Sequence, residues 1–78
     1  MSEKAAQILE ALGGKENIKS LDSCITRLRC TLVDLKKMDE RKLKSLGAVG
    51  IMKMGTAVQV VMGTLAEAYE REIKELMK

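Results

Sequence analysis

A chain of 78 residues with a net charge of +3 has room for one domain whose core is small but workable without disulfides or metal. It holds no histidine, two cysteines and one aromatic residue, Tyr69. A Cys-His dyad, a His-containing zinc site and a cysteine-only structural zinc site are therefore excluded, and base stacking on nucleic acid has almost no surface to use.

In chain order, residues 3–12 place Ala5, Ile8, Leu9 and Leu12 at helical spacing and stop at Gly13-Gly14, which predicts a helix with a glycine cap. Ile18–Cys24 is short and apolar-biased. After it Leu28, Cys30 and Leu32 alternate with Arg27, Arg29 and Thr31, which predicts a strand with one buried face. The two arginines then share the opposite face with Cα atoms ~6.6 Å apart, and Cys24 falls on the turn entering that strand. Asp39 is placed to cap a short second helix that carries Leu43 and Leu46 and ends at Gly47. Residues 49–54 and 57–62 flank Gly55-Thr56, the pattern of a hairpin. Within it Val58, Val60 and Met62 face one way and Gln59 and Val61 the other, while Met52, Met54 and Met62 read as core filler. Thr64-Leu65-Ala66-Glu67 spells a capping box for a last helix with the stripe Leu65, Tyr69, Ile73 and Leu76. The order α-β-β-α-β-β-α predicts an α+β fold: an antiparallel four-stranded sheet with three helices packed on one face and the other partly open. No repeat, low-complexity tract or internal linker interrupts residues 1–78, which read as a single domain.

The charge is unevenly spread: from Lys15 to Lys53 ten Lys/Arg oppose five Asp/Glu. A basic middle suits nucleic acid or anionic lipid, and equally a protein that receives a phosphoryl dianion and docks on acidic surfaces. No apolar run is long enough to cross a bilayer and no secretory segment opens the chain, so a soluble protein of a reducing, intracellular compartment is expected. Cys24 and Cys30 would lie ~20 Å apart along an extended strand, against the ~7 Å between Cα atoms that a disulfide tolerates. They read as independent thiols.

The run Leu21-Asp22-Ser23-Cys24-Ile25-Thr26-Arg27-Leu28-Arg29 sets one thiol between an acid and two arginines. The thiolate is the reactive form, and nearby arginines favour it. Their guanidinium forks also match phosphate oxygens, so the surroundings suit phosphoryl chemistry better than metal or disulfide chemistry. The plainer alternative is a buried filler cysteine beside solvated arginines.

This run, with Gly13-Gly14-Lys15-Glu16-Asn17-Ile18 before it, resembles the cysteine-phosphorylated B domain of the bacterial sugar phosphotransferase system, in its glucose and N-acetylglucosamine branch. Leu43-Lys44-Ser45-Leu46-Gly47-Ala48-Val49-Gly50 and Val58-Gln59-Val60-Val61-Met62-Gly63-Thr64 look like that family's second and third signature blocks, in the same order, so that nearly the whole chain is covered. The resemblance implies that Cys24 takes a phosphoryl group from a phosphohistidine A domain and passes it to a sugar arriving through a membrane C domain. Arg27 and Arg29 would stabilise charge on the equatorial oxygens. Backbone N–H groups of Ile25 and Thr26 could cradle those oxygens in a concave turn. Asp22 and Gln59 match positions that cluster around the family's cysteine. Each supporting residue has an ordinary alternative: Asp22 as a turn cap, Thr26 as a turn tie, Gln59 as an exposed strand residue.

Cys30 takes a structural role on the buried face. No metal or cofactor is implied, and the expected partners are the A domain, the C domain and the sugar, without nucleic acid. A cytoplasmic monomer is expected, working at the inner face of the membrane when docked on or fused to the C domain; the chain reads as either free-standing or excised. Two departures bear on partner choice: Thr64-Leu65-Ala66-Glu67 stands where the common pattern has Gly-Thr followed by lysine, and Lys53 interrupts a strand usually apolar there. Two other classes compete. Gly47-Ala48-Val49-Gly50 fits the GxxG of a KH-like nucleic-acid module, although it leads into an apparent strand. A redox-sensing thiol protein built on Cys24 would lack a resolving cysteine within reach.

Overall fold

The computed structural model describes residues 3–78. Its elements are α1 (Glu3–Ala11), β1 (Ile18–Cys24), β2 (Arg27–Leu32), α2 (Glu40–Ser45), β3 (Gly50–Met54), β4 (Ala57–Val61) and α3 (Ala66–Leu76), with 3-10 turns at Lys15–Asn17, Leu35–Lys37 and Gly63–Leu65. The order is the expected one. The four strands form one antiparallel sheet in the order β1-β2-β4-β3, so two local hairpins are joined by the long-range pair β2–β4.

Alternation along the strands sorts the two faces. Leu28, Cys30 and Leu32 of β2 and Val58 and Val60 of β4 are buried against the helices. Ala5, Ile8 and Leu12 from the first helical segment, Leu43 and Leu46 around α2, and Ala66, Tyr69 and Ile73 of α3 complete that core. The opposite face is uncovered. Register places Asp22, Arg29, Gln59 and Met52 in one row across it and Cys24, Arg27, Val61 and Gly50 in the next.

Local chemistry explains the joints. Gly13 and Gly14 close α1 at φ 107° and 87°, a region most residues avoid. A Cβ on Gly13 would meet the Asn17 side chain at 2.4 Å. Asn17, almost fully buried, spends its side chain on backbone: its amide donates to the Leu12 carbonyl (2.8 Å) and the Asp34 carbonyl (3.0 Å), and its oxygen accepts from the Asp34 N–H (2.9 Å). Asp39 caps α2 as expected, accepting from the Lys42 N–H at 3.0 Å. Its own N–H donates to the Ala11 carbonyl at 2.7 Å, which ties α2 to the end of α1.

Four expectations need correction. Thr64 does not open a capping box: Met62 and Gly63 both donate to the Thr26 carbonyl, the chain turns once in 3-10 form, and α3 starts at Ala66, one residue too late. Leu65 therefore falls before the helix and is exposed, Leu76 is exposed at the helix's last residue, and the buried stripe is Ala66, Tyr69 and Ile73. Met52 and Met54, expected in the core, are 44% and 74% exposed, because they fall on the uncovered face of the edge strand β3; Met62 is buried. Cys24 closes β1 as its last residue, paired with Arg27, and the turn proper is Ile25-Thr26. Lys53, on the helix-facing side of β3, forms an ion pair with Glu40 at the start of α2. Gly47–Gly50 joins a helix to a strand, which is not the helix-to-helix setting of a KH loop.

Candidate functional site

The site stands at one end of the open face, where β1 turns into β2. A two-residue turn fixes its register: Cys24 pairs with Arg27, and alternation then sets Asp22 opposite Arg29. Ile25, the first turn residue, has φ 55° and is 84% exposed. A β-branched residue in the left-handed region stores strain, and such strain persists where surrounding contacts hold it. Here the hold is on Thr26, whose carbonyl accepts from the N–H groups of Met62 (2.9 Å) and Gly63 (3.0 Å).

Cys24, Ile25, Thr26, Arg27, Arg29 and Gln59 line a shallow cleft of about 200 Å³, which brings together all but one of the residues singled out from the sequence. Asp22 stands beside it. Arg27 donates through Nη1 to Gln59 Oε1 at 2.9 Å. Arg29 donates through Nε to Asp22 Oδ1 at 2.9 Å and through Nη2 to Asp22 Oδ2 at 3.3 Å, a two-pronged ion pair. The Arg29 hydrogen bond holds the Asp22 carboxyl below its usual range, and the Asp22 carboxylate in turn raises Arg29.

The two thiols differ sharply. Cys24 is free and exposed on the open face, whereas Cys30 is free and buried on the helix face. Burial, then the charge of Asp22, pushes the Cys30 thiol up to about 11. The cleft thus has one accessible sulfur, two guanidinium groups on the same face and the backbone of a strained turn. That set can accept a phosphoryl group and spread its charge.

Sequence reasoning missed the support behind Cys24. Ser23 Oγ donates to Glu70 Oε1 of α3 at 2.6 Å, and Glu70 Oε2 pairs with Lys74 at 2.7 Å. Those two bonds keep the Glu70 carboxyl low, the Lys74 contribution being the larger. The one local signal was the Glu70–Lys74 spacing of four on a helix; Ser23 lies 47 residues from Glu70.

Comparison with known proteins identifies the family. A family model described as "phosphotransferase system, EIIB" matches residues 6–39, which contain most of α1, the β1–β2 hairpin and Cys24. The chain is 47% identical over 77 residues to the N-acetylglucosamine-specific EIIB component of the PTS system of Streptomyces coelicolor, covering 99% of this chain and 100% of that protein. It is 45% identical over 78 residues to the PTS system alpha-glucoside-specific EIICB component of Leptotrichia buccalis, but spans 15% of that longer protein. A crystal structure of one domain of the PTS system IIabc component from Clostridium difficile superposes with a TM-score of 0.77 over 96% of this chain and 79% of that one, at 24% identity, so the fold is shared. On identity sustained over its full length, this chain belongs to the EIIB family of the phosphotransferase system, of the glucose and N-acetylglucosamine type.

Proposed function

We propose that Cys24 is the residue on which this EIIB component carries its phosphoryl group. The observation that supports it is the exposed Cys24 thiol in a cleft lined by Arg27 and Arg29, with the other thiol buried on the far side of the sheet. In the first step the Cys24 sulfur attacks the phosphorus of a phosphohistidine on an EIIA donor. An S–P bond forms, the N–P bond breaks, and the thiol proton ends on the freed imidazole. In the second step a hydroxyl of a sugar held by the membrane EIIC domain attacks, the S–P bond breaks, and the hydroxyl proton returns to sulfur. Arg27 and Arg29 stabilise the charge on the equatorial oxygens in both steps, and the turn N–H groups of Ile25 and Thr26 add donors. Gln59 orients Arg27, to which it is bonded.

No helix among the described residues is long and apolar enough to cross a membrane. The Leptotrichia relative carries its EIIB part together with EIIC. By analogy with that combined protein, this chain works against a membrane EIIC partner at its cytoplasmic face. The test is the intact mass of the chain after incubation with phosphoenolpyruvate, the general phosphotransfer proteins and an EIIA domain. One phosphoryl group should be gained, lost in Cys24→Ser and retained in Cys30→Ala; full labelling of Cys24→Ser would overturn the assignment.

A further inference from the structure

Two guanidinium groups face the cleft, and they are held differently. Arg27 is bonded to a neutral amide, Gln59, whereas Arg29 is gripped at two of its nitrogens by the carboxylate of Asp22. That grip lies in solvent, with the side chains of Arg29 and Asp22 50% and 57% exposed, and exposed ion pairs open readily. A phosphoryl group on Cys24 would offer the same guanidinium more negative charge and three acceptor oxygens, for which an arginine fork is well matched. Cys24 and Asp22 are two residues apart on one strand face; Arg29 lines the same cleft as Cys24 and is bonded to Asp22.

We infer that Asp22 is a counter-ligand for Arg29: it holds the guanidinium while Cys24 is empty, yields it to the phosphoryl group, and reclaims it as that group departs. The inference rests on the phosphocysteine reading above. Asp22 makes no bond to phosphorus and transfers no proton, so it is a positioning residue acting through Arg29. Its effect has a direction. When the phosphoryl group takes Arg29 it displaces Asp22 and leaves a carboxylate beside a dianion, so Asp22 disfavours the loaded state and promotes onward transfer. The low-lying Asp22 carboxyl is consistent with this, since it stays ionised at neutral pH.

The experiment mixes phosphorylated EIIA domain with the full chain and reads the equilibrium ratio of loaded to empty chain by intact mass. Asp22→Asn should raise the loaded-to-empty equilibrium constant about three- to fivefold, the size of one exposed charge interaction. It should also lengthen the half-life of the phosphocysteine. Asp22→Glu, which keeps the charge, should stay within about twofold of the unmodified chain. In an Arg29→Gln background the gain from Asp22→Asn should largely vanish. A merely structural role predicts reduced loading, so a gain separates the two. No change or a fall in Asp22→Asn overturns the inference, and so does an undiminished gain without Arg29, which would mean direct repulsion alone. Failure of the unmodified chain to load at Cys24 would instead overturn the phosphocysteine reading beneath it.

Discussion

At the scale of single residues, the environment of each thiol sets what it can do. In the native protein at pH 8, iodoacetamide should modify Cys24 and leave Cys30 untouched. Cys30 is buried and, with its thiol pushed up to about 11, holds a thiolate fraction on the order of one in a thousand at that pH. Peptide mapping after limited alkylation checks this, and equal labelling of both would mean that the β2 register is wrong. The arginines can be tested by shape alone. Arg27→Lys and Arg29→Lys keep the charge but lose the fork, so sugar phosphorylation should fall more than tenfold in each, about 1.4 kcal/mol of lost transition-state stabilisation. Near-normal transfer by both variants would remove the arginines from the chemistry.

At the scale of elements, the fold depends on a clamp far from the cleft. The buried Asn17 makes three side-chain bonds that join the end of α1 to the loop after β2. Asn17→Ala should lower the unfolding free energy by about 2–4 kcal/mol, because the buried Leu12 carbonyl and the half-buried Asp34 backbone lose their partners. The urea midpoint should drop with little change in slope. Gly13→Ala should also destabilise, through its φ of 107° and the contact its new Cβ would make with Asn17. Neither substitution touches the cleft, so any loss of phosphoryl transfer should track the unfolded fraction.

At the scale of the whole molecule, one sheet separates a reactive face from a structural one, and Cys30 ties stability to alkaline pH. Below pH 9.0, the ordinary thiol value, folded and unfolded chains both keep the Cys30 proton; above it the unfolded chain ionises first, because folding raises the thiol to about 11. The folded state therefore loses stability as pH rises, by about 2–3 kcal/mol between pH 9 and 11. Urea titrations across that range, compared between the unmodified chain and Cys30→Ala, isolate the Cys30 contribution. A matching slope in Cys30→Ala would assign the loss to other groups.

By itself the sequence determined whatever short-range periodicity controls. The alternation of Leu28, Cys30 and Leu32 with Arg27 and Arg29 placed both arginines on one face, because side-chain direction in a strand repeats every two residues, and it set Cys24 just before that strand, though on the turn and not at the end of β1. The order of elements followed for the same reason. The tertiary structure decided what depends on long-range register and on where the helices lie. Gln59 reaches Arg27 through the β2–β4 pairing, and Ser23 finds Glu70 only once α3 lies across β1. Nothing local marks Asn17 as a core residue, and only folding buries it among backbone partners. Met52 and Met54 read as core because they are apolar, yet hydrophobicity does not say which face of an edge strand the helices cover. The Thr64 capping box failed because two hydrogen bonds to the Thr26 carbonyl, 36 or more residues back along the chain, outweighed a local capping preference.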